Sequence, residues 1–147
     1  MKYQLRDYQK ASSDAAIKFF QSKAQNNGLL VLPTGSGKSL VLADIAYRLN
    51  DKVLVFQPSK EILAQNFAKL KSYGVEDCAI YSASFNCKEI KRITFATIGS
   101  VMSNMEDFNQ FRYIIVDEAH VTNQRGGMYK DFFECADRKI LGLTATP

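Results

Sequence analysis

Lys38 and Ser39 are the residues of this chain most suited to holding phosphate. They close the run Pro33-Thr34-Gly35-Ser36-Gly37-Lys38-Ser39, which follows four apolar residues, Leu29 to Leu32. An apolar strand, a glycine-bearing turn and Gly-Lys-Ser at a helix start make the layout of a phosphate-binding loop. Glycines let successive N–H groups converge on one anion, and the helix N-terminus adds unpaired N–H groups and partial positive charge. Lys38 would then reach the outer phosphates and the Ser39 hydroxyl a Mg²⁺ ion. The strict pattern G-x-x-x-x-G-K-[ST] is not met, because Leu32 stands at its first glycine. The bland alternative is a Gly/Ser turn that binds nothing, and few such turns carry Gly-Lys-Ser in that place.

A second chemical pair lies far along the chain. Tyr113-Ile114-Ile115-Val116 reads as a buried strand running into Asp117-Glu118-Ala119-His120. Phosphoryl transfer from a Mg²⁺-nucleotide needs a carboxylate near the metal and a group that orients or deprotonates water. Asp117 suits the first role and Glu118 the second. An acidic strand-end turn is the plain alternative.

These residues need a scaffold. The pattern predicts helices over about Asp7 to Gln25, with Tyr8, Ala11, Ala15 and Phe19 on one side, Lys38 to Leu49, Lys60 to Tyr73 and Met128 to Ala136. Ser100 to Met105 reads as a short helix. Asn26-Asn27-Gly28 is expected to end the first helix, and Gly126-Gly127 to mark a loop. Strands are expected at Leu29 to Leu32, Val53 to Phe56, Ala79 to Tyr81, Ile93 to Ala96, Tyr113 to Val116 and Ile140 to Leu143. Helices alternating with strands that lack polar alternation predict a mostly parallel sheet covered on both faces. Ligands of such sheets sit at the carboxyl ends of the strands. The phosphate loop, Asp117-Glu118 and Thr144-Ala145-Thr146 all follow strand ends, so one site can draw on all three.

Composition sets bounds. The 147 residues fit one domain, 46% of them are hydrophobic, and the net charge is +4, a mild lean towards polyanions. No apolar run is long enough to span a membrane, and the first ten residues hold no signal-peptide core, so a cytoplasmic location is expected. Cys78, Cys87 and Cys135 form no CxxC pair and read as incidental thiols, and a single histidine excludes a multi-histidine metal site within these residues. Lys88, Lys91 and Arg92 read as a solvated face.

Asp117-Glu118-Ala119-His120 resembles motif II of the DEAD/DEAH-type superfamily 2 helicases, and Pro33 to Ser39 resembles their motif I. Thr144-Ala145-Thr146 resembles motif III, and Leu5-Arg6-Asp7-Tyr8-Gln9 the motif that reads adenine, with Gln9 at the glutamine. Pro58-Ser59-Lys60-Glu61-Ile62-Leu63-Ala64-Gln65 is similar to motif Ia, and Ala96-Thr97-Ile98-Gly99-Ser100 to the strand-end motif that touches nucleic acid. All six stand in family order. His120 and the Leu-Pro-Thr-Gly-Ser-Gly-Lys wording lean towards the restriction-enzyme-like and DEAH branch, which often accepts Leu32.

The resemblance implies a three-layer RecA-like domain over residues 1–147 that uses ATP and Mg²⁺. Gln9, Thr34, Gly35, Ser36, Gly37, Lys38 and Ser39 would hold the nucleotide, and Ser39 and Asp117 the metal. Lys38, Asp117, Glu118 and His120 would carry the chemistry. Pro58, Ser59, Lys60, Thr97 and Ser100 would contact nucleic acid, DNA ahead of RNA. Thr144, Ala145 and Thr146 would couple hydrolysis to movement through a hydrogen-bonded link to His120. Tyr3 could stack on the base or be an ordinary tyrosine. In the family a second RecA-like domain follows and supplies an arginine finger, a role for which Arg125 and Arg138 lack a motif. The expectation for these residues alone is weak nucleotide binding, poor hydrolysis and no strand separation. Two other classes stay open here: a P-loop kinase acting on a small molecule, and a nucleotide-switch binding module.

Overall fold

The computed structural model describes residues 2–23, 26–33, 35–120 and 127–145. Its elements, in chain order, are α1 (Asp7–Gln21), β1 (Asn27–Val31), α2 (Lys38–Leu49), β2 (Val53–Phe56), α3 (Lys60–Ser72), β3 (Cys78–Ser82), β4 (Cys87–Lys88), β5 (Ile93–Ala96), α4 (Ile98–Met102), β6 (Tyr113–Val116), α5 (Gly127–Glu134) and β7 (Lys139–Thr144). Single 3-10 turns follow β3 and α4, at Ala83–Phe85 and Met105–Phe108. Among the described residues the strands form one sheet in the order β1-β7-β6-β2-β5-β3-β4. Every pairing is parallel except the short β3–β4 hairpin.

The period-2 geometry of a strand sorts β2 between two layers. Val53 and Val55 join the core with α1, α2 and α3, whereas Leu54 and Phe56 join the core with α4 and α5. All four are fully buried. That double coverage explains the absence of polar alternation in β2, β5 and β6. On the second face Phe56 meets Tyr129 and Phe132 edge-on, and Tyr81 meets Phe108.

The architecture matches the expected α/β class, with local departures that have physical reasons. β1 is an edge strand, so Leu29 and Val31 are 56% and 41% exposed, and the expected buried strand is half-solvated. It also starts at Asn27, because Asn27 and Gly28 pair with Ile140 and Leu141 of β7. The buried face of α1 is Gln9, Ser13, Ala16, Ile17 and Phe20, one residue round from the expected stripe, and Tyr8 is 45% exposed. Two polar side chains, Gln9 and Ser13, set that rotation by bonding inward. Gly127 opens α5 where a loop was expected, and Gly126 lies outside the described residues.

Three side chains are structural where the sequence suggested a solvated face, no role, or either base stacking or an ordinary tyrosine. Arg92 bonds Asp77 and donates to the carbonyls of Ala46 (3.1 Å) and Asp51 (3.4 Å), so it belongs to no solvated face. Arg138 is 3% exposed and donates to the carbonyls of Phe108, Phe111 and Phe132, with its guanidinium 3.9 Å from the Phe132 ring centre. Tyr3 donates its hydroxyl to Asp44 and packs edge-on against Tyr73. Burial, then the bond to Asp44, holds the Tyr3 phenol above its ordinary pKa. Asp44 also accepts from Ser13 and so ties α1 to α2.

Candidate active site and adjoining groove

The strand order brings the ends of β1, β7 and β6 side by side along one edge of the sheet. Past β1 the Leu32 N–H donates to the Thr144 carbonyl at 2.8 Å, which locks the start of the phosphate loop to β7. Leu32 itself is 2% exposed, so a core side chain occupies the position where the strict loop pattern has glycine. Ser36 N–H donates to Pro33 O at 3.0 Å and closes the turn. Gly35 (φ +83°) and Gly37 (φ +77°) hold left-handed backbone, which L side chains rarely adopt. Gly37 is the N-cap of α2, and both Leu40 and Val41 donate to its carbonyl. Thr34 lies outside the described residues.

Gln9 reaches this loop from α1. Its Nε2 donates to the Ser36 carbonyl at 2.9 Å, and Tyr8 donates its hydroxyl to the same oxygen at 3.0 Å. Gln9 Oε1 accepts the Arg6 N–H at 2.8 Å, which caps α1. One amide hydrogen and one lone pair of Gln9 remain for a base edge.

Asp117 follows β6 and is 1% exposed. Lys38 Nζ lies 2.9 Å from Asp117 Oδ1 and also pairs with Glu118 Oε1. Asp117 is held from a further side, because Asn66 Nδ2 of α3 donates to its Oδ2 at 2.9 Å. Burial pushes the Asp117 carboxyl above its ordinary pKa, against the opposing pull of the Lys38 bond and charge. Burial works to lower the Lys38 ammonium, but the bonds to Glu118 and Asp117 and their charges outweigh it, and its pKa is raised. Glu118 takes a left-handed backbone (φ +53°), and its N–H is fastened to Asp117 Oδ1 at 2.9 Å. That turn aims the two neighbouring carboxylates at one ammonium.

His120 Nδ1 stands 3.2 Å from Thr144 Oγ1 and 3.6 Å from Glu118 Oε2. Ala145 lies beside Thr144 at the end of β7, and Thr146 is outside the described residues. The turn carrying Ala119 lies so near β7 that a Cβ on Gly142 would sit 2.8 Å from Ala119 Cβ.

The donor set fits a Mg²⁺-nucleotide. Lys38 would supply a cation to outer phosphates, and the buried Ser36 Oγ has no hydrogen-bond partner. A Cβ on Gly35 would meet nothing within 4 Å, so the loop crown is open to an approaching phosphate. Ser39 Oγ is 3.4 Å from the Tyr73 hydroxyl, a long contact that costs little to exchange. Among the described residues no cluster of three or more His, Cys, Asp or Glu side chains could hold a metal. A Mg²⁺ ion here would draw part of its shell from phosphate oxygens and water.

Beyond β6 the same edge continues over β2 and β5. A groove of about 410 Å³ opens there, lined in part by Gln57, Ser59, Lys60, Thr97 and Ser100. Pro58 lines it too. Ser59 is the N-cap of α3, and its Oγ accepts the Ile62 N–H at 3.3 Å. Ser100 Oγ accepts the Ala83 N–H at 3.0 Å and lies 2.9 Å from Thr97 Oγ1. The two hydroxyls share one hydrogen bond, so one hydroxyl hydrogen is left over for a ligand. Gln57 and Asn66 are site residues that the motif reading missed, and Tyr8, inside a quoted motif, was not singled out as a site residue. Gln57 and Asn66 flank the run Pro58 to Gln65 on either side, and that adjacency was their sequence signal.

The chain can be placed among known proteins on this geometry. The sequence profile of a family described as type III restriction enzyme, res subunit, matches residues 2–147. The DNA 3'-5' translocase XPB2 of Sulfurisphaera tokodaii is 31% identical over 148 residues, covering 99% of this chain and 31% of that protein. The Sulfolobus solfataricus SWI2/SNF2 ATPase core, solved with dsDNA, matches with a TM-score of 0.75 at 19% identity, over 100% of this chain and 33% of that one. A nuclease-deletion mutant of the type ISP restriction-modification enzyme LlaGI, solved with a DNA substrate mimic, matches with a TM-score of 0.73 at 21% identity, over 99% of this chain and 18% of that one. The structural likenesses identify the fold as that of RecA-like helicase domains. The chain spans about a third, or less, of the length of the curated relatives it matches.

Proposed function

The chain belongs to the family of type III restriction enzyme Res subunits, and from that premise we propose that it is the ATP-binding motor domain of a nucleic-acid-dependent ATPase. The observation that carries this reading is the bridge from Lys38 to both Asp117 and Glu118, at the mouth of a glycine-rich loop.

The phosphate loop and Lys38 bind the triphosphate of ATP, and Ser39 and Asp117 hold Mg²⁺. When bound, the metal neutralises phosphate charge and orients the phosphate that is cleaved. The phosphates compete with the two carboxylates for Lys38. Once Lys38 turns to them, Glu118 Oε1 is released to orient a water and accept its proton. His120 Nδ1 is within hydrogen-bond distance of Thr144 Oγ1 and stands 3.6 Å from Glu118 Oε2, so the imidazole lies between the catalytic carboxylate and the end of β7. This contact supports a coupling role for Thr144, with Ala145 and Thr146 beside it. Gln9 selects the base while holding the loop at Ser36.

The groove beside β2 and β5 suits a sugar-phosphate backbone: a helix N-terminus at Ser59, the Lys60 ammonium nearby and a spare hydroxyl hydrogen at Thr97 or Ser100. DNA is the polymer proposed, in keeping with the DNA translocase among the relatives. A second RecA-like domain would complete the engine across the site. The family speaks against a small-molecule kinase. The test is ATP hydrolysis by the full-length protein with and without DNA. Strong stimulation by DNA, lost in Lys38→Ala together with nucleotide binding, is the expected result. Hydrolysis indifferent to DNA and RNA would refute the reading.

A further inference from the structure

Gln57 sits where the two sites meet. It directly follows β2, precedes Pro58, and lines the groove with Ser59, Lys60, Thr97 and Ser100. It is 1% exposed, and its Nε2 is buried with no hydrogen-bond partner. Buried amide donors are nearly always paired, because an unpaired one forfeits its bonds to water and gains nothing in return. A lone unpaired amide beside a groove is therefore a donor waiting for an acceptor.

The other end of the same side chain faces the nucleotide site. Gln57 Oε1 accepts from Asn66 Nδ2 at 3.1 Å, and Asn66 Nδ2 also donates to Asp117 Oδ2 at 2.9 Å. One NH₂ group has two hydrogens, and here both are committed: one to Gln57, one to the buried carboxylate. A change in the set of the Gln57 amide alters how Asn66 shares its hydrogens, and hence how Asp117 is held. The main chain runs in parallel, with Gln57 N–H on Ala96 O and Asp117 N–H on Phe56 O, both at 2.9 Å. The frame is rigid, so the side chains are the part free to move.

We propose that Gln57 and Asn66 are positioning residues through which a nucleic-acid backbone in the groove sets the orientation of Asp117. The acceptor is a phosphate oxygen of the strand, directly or through one water. With it in place Gln57 Nε2 is paired, and the Gln57–Asn66–Asp117 chain becomes one fully bonded network. Without it the chain ends in an unpaired donor. This inference rests on the nucleic-acid-dependent ATPase reading above, and it adds the physical path by which the polymer is sensed.

The experiment uses the full-length protein with ATP, Mg²⁺ and a short blunt duplex or its single strand. Read out are the saturated stimulation of kcat, the KM for ATP, and the duplex affinity with and without Mg²⁺-nucleotide. In the Gln57 and Asn66 variants both the saturated stimulation and the nucleotide effect on duplex affinity are expected to fall, the first because Asp117 is no longer oriented, the second because the linkage between the two binding free energies is cut. Gln57→Leu is expected to cut the saturated stimulation about fivefold or more, within the usual range of coupling factors, with KM for ATP changed by no more than about twofold. Gln57→Glu keeps an oxygen for Asn66 but loses the donor, and it should lose stimulation as well. That variant guards against a simple folding defect in the first. Asn66→Leu should show the same loss from the other end. Lys60→Ala, a direct groove contact, should demand more duplex for half-stimulation yet reach the same plateau. If the Gln57 and Asn66 variants melt earlier but keep wild-type stimulation and the wild-type nucleotide effect on duplex affinity, the link is only structural and the proposal falls. A wild-type protein that ignores both nucleic acids overturns the ATPase reading and this inference together. A responsive wild type with responsive variants overturns the inference alone.

Discussion

Lys38 Nζ and Asp117 Oδ1 lie 2.9 Å apart, in a pair whose aspartate side chain is fully buried and whose lysine side chain is 21% exposed. The lysine arrives from the start of α2 and the aspartate from the end of β6, with β7 between their strands. The lysine proposed to take phosphate is therefore also the counter-charge of a buried anion.

That dual role predicts an asymmetry. Lys38→Ala leaves Asp117 buried and short of a cation, whereas Asp117→Asn leaves a partly exposed ammonium that still has Glu118. Removing the lysine should cost about 2–3 kcal/mol of stability, and the asparagine substitution about half as much. Urea denaturation of the two variants checks this. Equal losses would show that the buried carboxylate does not need Lys38.

Two loop glycines should respond differently to alanine. At Gly35 a Cβ meets nothing within 4 Å, so only the left-handed backbone opposes it, at about 1–2 kcal/mol. At Gly37 a Cβ would fall 2.3 Å from Gln9 Nε2 and would break its bond to Ser36 O as well. Gly37→Ala should lower the melting temperature clearly more than Gly35→Ala, measured by thermal unfolding with circular dichroism.

Gly142 is a packing requirement of the acidic turn. Its added Cβ would stand 2.8 Å from Ala119 Cβ and 3.2 Å from Leu29 Cδ1. Leu29 is an exposed, flexible side chain and can yield; Ala119 can yield only by moving the turn that carries Glu118 and His120. Gly142→Ala is expected to lower ATP hydrolysis about tenfold or more, in line with the sensitivity of catalysis to small displacements. The double variant Gly142→Ala/Ala119→Gly should recover most of it. Failure of the second change to rescue would place the damage elsewhere.

Arg92 gives a pH signature. Its hydrogen bond, with burial opposing and its charge assisting, holds the Asp77 carboxyl below the usual range. A carboxylate with a lowered folded pKa adds stability that is present above its unfolded value near 3.8 and is lost as pH falls through the folded value. Asp77 is half-exposed, which keeps the pair's own worth small. Arg92→Leu should cost about 1–2 kcal/mol at neutral pH, mostly through the orphaned Ala46 and Asp51 carbonyls. The gap from wild type should begin to narrow below about pH 4, where Asp77 protonates in the unfolded chain, and the pair's share of it should close as pH falls through the lowered folded value. Melting curves across pH 3 to 7, a range of about four units bracketing the Asp reference value, measure it.

Much of the site was legible in the chain because its signals are local. Gly-Lys-Ser after an apolar run and an acid pair after another each report a strand end and the chemistry there. The α1 stripe was misjudged because hydrophobic periodicity cannot tell when Gln9 and Ser13 are the buried residues; their partners, Ser36 O and Asp44, are far along the chain. Arg92 looked like part of a basic surface cluster for the same reason, since its acceptors at Ala46 and Asp51 come from another segment.

The sequence alone determined the alternation of strands and helices, the loop that can take phosphate, and the carboxylates that can serve a metal and a water. Tertiary structure decided which strand ends are neighbours: β7 between β1 and β6, and β2 between β6 and β5. That order places Asp117 against Lys38 on one side and Asn66 with Gln57 on the other. Periodicity and short motifs report backbone geometry a few residues at a time. Contacts between distant residues depend on how the sheet is ordered and registered, which emerges only when both faces are buried at once.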